Sequence, residues 1–386
     1  MVSVSVFGSL ITADQACAGP WSMQPSLSAA EMFDDNVFLS ETNEEGDFIT
    51  ILSPSVRLSR RGDQLTVSTG YRALLEFYAH NPDQNNTTHI GDVNVSATGF
   101  GPGLLEHASL ALTDTFTSTQ RLVNFPAAGA PVGNEGVITQ PNTTLNNMAS
   151  ATFTLPLSDN LSGSVSYNWS FTRYKLPSLI DNAMQDATAQ FSDQVTSRLG
   201  LGMTYSYHVL TYEVQGQQRR AAHELTLNAN TTFSPSLSLD CHIGEAYFSD
   251  TNSLETIGAA TLTKHFQYTT ASVGYNRSIS SGGGLFGEPT VGQFFTVVIT
   301  RPMGEYASAS LTGTYADQQS TGAATSRNKS FNLTATSQYA ITRWLTTVAT
   351  YQHMAQRSTA PSVPPTNLRD NIIAIALNGT WETPIP

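Results

Sequence analysis

Hydrophobic and polar residues alternate along most of this chain. The clearest case is LSGSVSYNWSF at 161–171, where the odd-numbered positions are mostly apolar and end in three aromatic residues. The positions between them are all Ser or Asn. A period of two is typical of a β-strand with one apolar face and one polar face. Similar segments recur at 64–79, 223–233 and 329–339, so the pattern predicts an all-β protein.

The same alternation predicts about 18 strands, and an even number is usual for a single-chain bacterial barrel. Two of them, 255–266 and 343–356, alternate poorly, and 48–60 changes phase near Ile51 and Leu52. A bulge or a miscounted strand would explain such a change of phase. The predicted strands are 26–38, 48–60, 64–79, 88–99, 104–118, 144–157, 161–174, 188–206, 209–218, 222–233, 237–248, 255–266, 268–280, 290–301, 305–317, 328–340, 343–356 and 369–382.

Tight turns alternate with longer loops between these strands. Short turns on one rim and long loops on the other are typical of outer-membrane barrels, whose short turns face the periplasm. The loop at 119–143 is the longest, and its Gly and Pro residues are compatible with lying over the mouth or pointing away from it. Tight turns are predicted at 61–63, 101–103, 158–160, 207–208, 234–236, 303–304 and 341–342, and the longer loops at 80–87, 119–143, 175–187, 281–289, 318–327 and 357–368.

The composition favours a barrel in lipid over a soluble β-sandwich. Only 12% of the 386 residues are charged, and 40% are hydrophobic. A soluble sandwich would turn its apolar faces inward and carry more surface charge. In hydrocarbon, only helices and closed barrels pair every backbone group, and no apolar run here approaches the length of about 18 residues that a membrane helix needs. We therefore expect a transmembrane, antiparallel, up-and-down β-barrel in the bacterial outer membrane.

The first 18 residues have the features of an incomplete secretory signal peptide. A short apolar run, Val2 to Ile11, is followed by the small-x-small sequence Ala16-Cys17-Ala18, although no Lys or Arg precedes the run. The alternatives are a disordered tail or an extra strand. We assign 1–18 to the signal peptide and 19–386 to a single transmembrane β-barrel domain. Removal of Cys17 would leave Cys241 as a lone thiol, so no disulfide is expected within the domain.

Several features of the amino-terminal third resemble a known family. They are an Asp35-Asn36-Val37 opening, a strand that contains Ser53-Pro54, a Gly-Asp turn and a Tyr-containing strand that runs into an Asn- and Asp-rich loop. The segment TFSPSLSLDCHIGEAYF from Thr232 is similar in style. Together they resemble the outer-membrane β-barrel porins encoded beside exopolysaccharide and exosortase genes. The resemblance implies a barrel with a role in polysaccharide passage, and the family offers no established catalytic residues to compare.

The polar phase of the strands predicts the lining of a lumen. Most of its positions are Ser, Thr and Gly, which would keep the bore wide and hydrated. The larger polar groups carry both signs of charge, so we expect no strong selectivity between anions and cations. Each charge has an alternative role in a salt bridge that braces the wall. The predicted lumen-lining residues are Arg57, Arg72, Glu76, Asp92, Asn94, Arg198, Glu213, Glu224, Asn228, Asp240 and His242.

The sequence contains no convincing catalytic constellation. The eight His residues are scattered one per element, and no serine lies in a G-x-S-x-G motif. Asp240 and His242 share a strand face, and Glu224 falls on the neighbouring predicted strand. This group is compatible with a metal or acid–base site, but a polar cluster in the lumen is the simpler interpretation. We expect no enzyme activity and no cofactor.

We expect an outer-membrane conduit for polysaccharide or another neutral hydrophilic solute. One alternative is a general diffusion porin, which an added oligosaccharide would hardly block. Another is a barrel that sheaths a periplasmic partner, such as a multihaem cytochrome, which would co-purify as a red protein. The expected partners are outer-membrane lipid, the solute and that possible partner protein. The net charge of −12 argues against a nucleic-acid partner.

Overall fold

The structure is a computed structural model that describes residues 20–119, 143–175, 179–213, 218–280, 289–321, 326–360, 363–381 and 383–385. The predicted signal peptide, with Cys17, lies outside the described residues. So does all of the loop predicted at 119–143 except its two end residues.

Antiparallel strands form nearly all of the described chain, together with two short 3-10 helices at Pro82–Gln84 and Gly103–His107. The strands are β1 Trp21–Asp34, β2 Asp47–Arg61, β3 Leu65–Tyr78, β4 Asn86–Thr98, β5 Ser109–Thr119, β6 Thr144–Pro156, β7 Leu161–Tyr174, β8 Asn182–Thr196, β9 Leu199–Tyr212, β10 Gln218–Ser234, β11 Leu237–Phe248, β12 Ser253–His265, β13 Thr270–Ser280, β14 Thr290–Pro302, β15 Ala307–Ser320, β16 Arg327–Thr342, β17 Leu345–Ala360, β18 Val363–Thr380 and β19 Thr383–Ile385.

Each strand pairs with the next one along the chain, and β1 also pairs with β18. The short β19 continues beyond β18 and pairs with Trp21–Met23 of β1. The sheet is therefore a closed barrel of 18 full-length strands, and it has no free edge. This architecture confirms the fold that the alternating sequence predicts.

Cross-strand partners share a face, so the register identifies the outer surface of the wall. One outward row runs from Val273 through Val297 and Gly313 to Leu333. Outward apolar side chains such as Leu227, with an exposed fraction of 62%, are not covered by the rest of the chain. A continuous apolar belt of this kind is stable only in hydrocarbon. The closed wall and its apolar belt make the protein a transmembrane β-barrel, the type found in outer membranes.

Aromatic side chains flank the belt at both ends, as expected for interfacial girdles. At the short-turn end, the Trp344 and Trp381 rings stack with their centroids 6.1 Å apart. At the long-loop end, an outward row joins Tyr275, Phe295, Tyr315 and Phe331. Among the described residues, no helix has the length and hydropathy to cross a membrane.

The sequence prediction placed β8 and β9 wrongly. It put a tight turn at Tyr207-His208, but both residues lie inside β9, and the turn falls at 197–198. Thr196 makes that turn because its Oγ1 accepts hydrogen bonds from the backbone N–H of Arg198 and of Leu199. Without Gly or Pro, this turn lacks the residues by which short turns are usually recognised.

Several further boundaries differ from the prediction. β18 begins at Val363 instead of residue 369, so the loop predicted at 357–368 lies largely within β17 and β18. The first strand ends at Asp34 instead of residue 38, because the chain turns inward there. The strand predicted at 104–118 begins only at Ser109, because Gly103–His107 form a 3-10 helix on the short-turn rim. Its entry is fixed by Gly99, whose φ of +76° favours glycine, and by a hydrogen bond from Phe100 N to Leu105 O.

Substitution of Val297 by Arg tests the assignment of faces. Val297 lies mid-strand on the outward face, so we expect Val297→Arg to lower the free energy of unfolding from lipid vesicles by about 2–4 kcal/mol. The neighbouring Thr296→Arg faces the lumen and is expected to cost much less. Denaturant titration followed by tryptophan fluorescence measures both variants, and equal losses would contradict the assignment.

Candidate functional site

Small hydroxyl side chains line much of the inner wall. Several join across neighbouring strands in hydrogen-bonded pairs, which brace the wall without filling the bore. Each hydroxyl keeps further donor or acceptor capacity for water or a solute. The pairs are Ser22–Ser59 at 2.7 Å, Ser26–Ser55 at 2.5 Å, Thr113–Ser150 at 2.6 Å and Thr188–Ser206 at 2.9 Å.

The connection between β1 and β2, residues 35–46, folds against the inside of the barrel at its long-loop end. Val37 is buried in a cluster with the inward-facing Met32, Ile49, Tyr78 and Ile372, from four different strands. Leu39 packs against Met354 of β17 and Leu368 of β18. We call residues 35–46 the inward loop. It covers the inner face of β17, β18, β1, β2 and β3, and so narrows the bore.

The inward loop is held by Asn36, which is fully buried. Its Nδ2 donates to the backbone oxygens of Ser40, at 2.9 Å, and Arg369, at 2.8 Å, and its Oδ1 accepts from Ser40 N at 2.8 Å. Leu39 has a φ of +50°, which costs an L-residue about 1–2 kcal/mol. Burial of its side chain against Met354 offsets that cost.

A second polar group lies on the inner face of β8, β9 and β10. His208 Nδ1 lies 2.6 Å from Asp186 Oδ1, and His208 Nε2 lies 3.2 Å from Glu224 Oε2. The three side chains are largely shielded from solvent. Because both ring nitrogens contact carboxylate oxygens, a protonated imidazole donates in both directions and links three strands.

Three of the predicted lumen-lining residues, on β2 and β4, meet inside the barrel. Arg57 Nη2 forms a salt bridge of 3.0 Å with Asp92 Oδ1, and Asn94 Nδ2 donates to Asp92 Oδ2. The pair lies over Gly70, where a Cβ atom would stand 2.5 Å from Asp92 Oδ1. A larger residue at position 70 would therefore displace the Asp92 carboxylate from its present place beside Arg57.

Two further predicted residues, Arg72 and Glu76, also lie on the inward face of β3. Arg72 is exposed to the lumen, whereas Glu76 is buried and accepts a 2.6 Å hydrogen bond from Asn86 Nδ2.

The remaining predicted residues are dispersed. Asn228 and His242 are inward-facing partners, and Asp240 is paired with Asn230. Glu224 is paired with Ala246, six residues along β11 from Asp240, a separation of about 20 Å. Glu224, Asp240 and His242 therefore form no common site, because the register puts them at different heights.

Two predicted lumen residues lie outside the wall. Arg198 is exposed in the short turn between β8 and β9, and Glu213 is exposed on the long-loop rim directly after β9. Both were assigned to the lumen because the predicted boundaries of these two strands were wrong. Tyr212, the last residue of β9, faces inward and is fully buried.

Three carboxylates, those of Asp34, Asp35 and Asp370, lie close together. One oxygen atom of each lies within 4.8 Å of the other two, which is close enough for one ion to contact all three. They are the only such acidic, His or Cys group among the described residues. Both Asp35 oxygens accept hydrogen bonds from Asn371, and Asp34 Oδ1 accepts one from Asn36 N. These bonds give the group a structural role in anchoring the inward loop, and we assign no ion to it.

No protein-family model matches the sequence, and no curated protein matches it. Among solved structures, OccK3 (OpdO) of Pseudomonas aeruginosa aligns with 10% identity over 96% of this chain and 98% of its own, with a TM-score of 0.46. The siderophore receptor PirA of the same organism aligns with 8% identity over 93% and 80%, with a TM-score of 0.48. OccAB4 of Acinetobacter baumannii aligns with 10% identity over 94% and 98%, with a TM-score of 0.46.

Likenesses this distant do not indicate what passes through the barrel.

Alternation along the sequence predicts neither the inward loop nor the group around His208. Apolar residues in the inward phase, such as Ile49 and Ile51, were the available signal for the loop. For His208 the signal was the apolar phase of Met203 and Tyr205, which continues at Tyr207 and Val209 through the predicted turn.

Removal of the Asn36 amide is expected to loosen the inward loop. Asn36→Ala deletes the three side-chain hydrogen bonds and leaves the Ser40 and Arg369 backbone groups without these partners, at a local cost of about 1–3 kcal/mol. We expect faster proteolytic cleavage within residues 40–46 of the folded barrel. Glu44→Ala, in the exposed part of the loop, is the matched control. Unchanged cleavage in Asn36→Ala would show that the amide does not hold the loop.

Proposed function

We propose that the protein is a passive channel that lets small hydrophilic solutes cross the outer membrane. The observation that carries this proposal is an inner wall of hydroxyl and amide groups in an 18-stranded barrel, whose mouth is narrowed by the inward loop. Barrels of 16–18 strands are wide enough to enclose an aqueous passage. Small neutral groups exchange hydrogen bonds with a passing solute without holding it.

The charges of the wall favour neutral and cationic solutes over anions. On the inward strand faces the carboxylates outnumber the guanidinium groups, which differs from the balanced lumen that the sequence predicts. Fixed negative charge in a confined aqueous space raises the local concentration of cations. The inward carboxylates include Asp34, Glu76, Asp92, Asp186, Glu224, Asp240 and Asp370, against Arg57, Arg61, Arg72 and Arg220.

Within this proposal, neutral sugars are the solutes that the lining suits best. Sugars present hydroxyl groups that match the Ser and Thr side chains of the wall. A dedicated polysaccharide exporter and a general diffusion porin share this lining, and blockage of the current by an added oligosaccharide separates them. The inward loop occupies space that an enclosed partner protein would need, which supports a channel over a sheath.

Shortening the inward loop is expected to widen the channel. Replacing residues 38–45 by a short Gly-Ser linker removes the contacts of Leu39 with β17 and β18. We expect a single-channel conductance in planar bilayers at least about twofold above that of the unaltered protein, because the inward loop narrows the bore. Swelling of protein-containing liposomes in neutral sugars should extend to larger sugars. A barrel that passes no ions with or without the loop would overturn the proposed function.

Neutralising lumen carboxylates is expected to reduce the preference for cations. Glu224→Gln with Asp240→Asn removes two inward negative charges from β10 and β11. We expect the reversal potential in a potassium chloride gradient to shift towards zero, because fewer fixed charges attract cations. Glu245→Gln, on the outward face of β11, is the control and should leave the potential unchanged. The same shift in both variants would argue against a lumen effect.

A further inference from the structure

Basic side chains of the strands lie mainly on the outside of this barrel, although the chain carries a net charge of −12. Near the long-loop end of β16, β17 and β18, the outward face presents Lys329, Arg357 and Arg369. The register makes Lys329 the direct partner of Arg357, and Arg369 the partner of Ala355, two residues from Arg357. We call these three residues the basic patch. Its members are close enough to contact one anionic group together.

The basic patch lies just beyond the apolar belt. On the same outward face, Phe331 lies two residues closer to the membrane centre than Lys329, and His353 lies four residues closer than Arg357. The centroids of the Phe331 and His353 rings are 6.2 Å apart. Outward Tyr351 and Ile373 continue the belt below them. At about 3.3 Å per residue, the three cations reach the level of the lipid head groups.

The chain neutralises only part of this charge. Asp317 accepts hydrogen bonds from Arg327 Nε at 2.7 Å and Nη2 at 2.5 Å, and its Oδ2 lies 3.8 Å from Lys329 Nζ. Arg357 and Arg369 are exposed, and neither forms a salt bridge with any described carboxylate. The patch therefore carries positive charge that is available to an external anion.

We propose that the basic patch binds the phosphate groups of a phosphorylated outer-leaflet glycolipid, the lipid A part of lipopolysaccharide. Guanidinium groups bind phosphate oxygens through paired N–H donors, and the Lys329 ammonium adds a point charge. The acyl chains of such a lipid would lie against Phe331, Ala355 and Ile373 below the patch. A free phosphate ion would gain nothing from that apolar surface, so the site favours the lipid.

This inference is independent of the channel proposal, because the basic patch is separated from the lumen by the barrel wall. Loss of lipid binding should therefore leave single-channel conductance unchanged. Conversely, a change in the lumen that abolishes conductance would not test lipid binding at the basic patch. The two proposals can fail separately.

The test measures lipid A binding to the full-length barrel in detergent by native mass spectrometry, and it compares the unaltered protein with two double variants. Arg357→Gln with Arg369→Gln should weaken binding by at least about tenfold, because each basic side chain near an anionic membrane surface changes affinity by roughly fivefold. The control is Arg60→Gln with Arg301→Gln, two outward arginines near the short-turn rim, and it should bind like the unaltered protein. Equal affinity in all three proteins would overturn the proposal.

Two further measurements keep the result interpretable if the double variant folds poorly. Dephosphorylated lipid A should bind the unaltered protein at least about tenfold more weakly, because the phosphates supply the charge. Arg357→Lys with Arg369→Lys should retain most of the binding. Full competition by inorganic phosphate at the lipid concentration would show that the patch recognises the free ion, and equal binding of the dephosphorylated lipid would show that it recognises no phosphate.

Discussion

Backbone hydrogen bonding in hydrocarbon is the constraint on which the rest of this structure depends. A strand edge exposed to lipid leaves N–H and C=O groups unpaired, at several kcal/mol each, so the sheet has to close. Closure occurs where β1 pairs with β18, and it gives the barrel an inside and an outside. Every other feature follows from that division, because successive residues of each strand then face lipid and lumen in turn.

The charged residues are sorted by this division. Carboxylates such as Asp92, Asp186 and Glu224 face the lumen, where Arg57 and His208 hold them in hydrogen-bonded groups. Arginine and lysine residues gather on the outside near the rims, where their long side chains reach the head groups. A single wall therefore presents two different electrostatic surfaces, one to a passing solute and one to the surrounding membrane.

The inward loop is the main exception to a uniformly polar lumen. Ile49, Tyr78, Met354 and Ile372 occupy inward positions that water would otherwise contact, and Val37 and Leu39 cover them. The phase change that the sequence shows near Ile51 is therefore no bulge. The pairing of β1 with β2 runs without a shift, and Ile51 faces inward against the same cluster. Apolar residues in the wrong phase mark where a loop folds back on the wall.

The sequence by itself determined the class of fold, the number of full-length strands and the outer-membrane setting. Those properties depend on alternation with period two, which is local and repeats in nearly every strand. Only the tertiary structure decided which inward residues meet. Glu224 pairs with His208 instead of Asp240, because register is fixed by cross-strand pairing and by turns such as the one at Thr196. The inward loop was likewise undecided, because its contacts join Asn36 and Leu39 to strands more than 300 residues later in the chain.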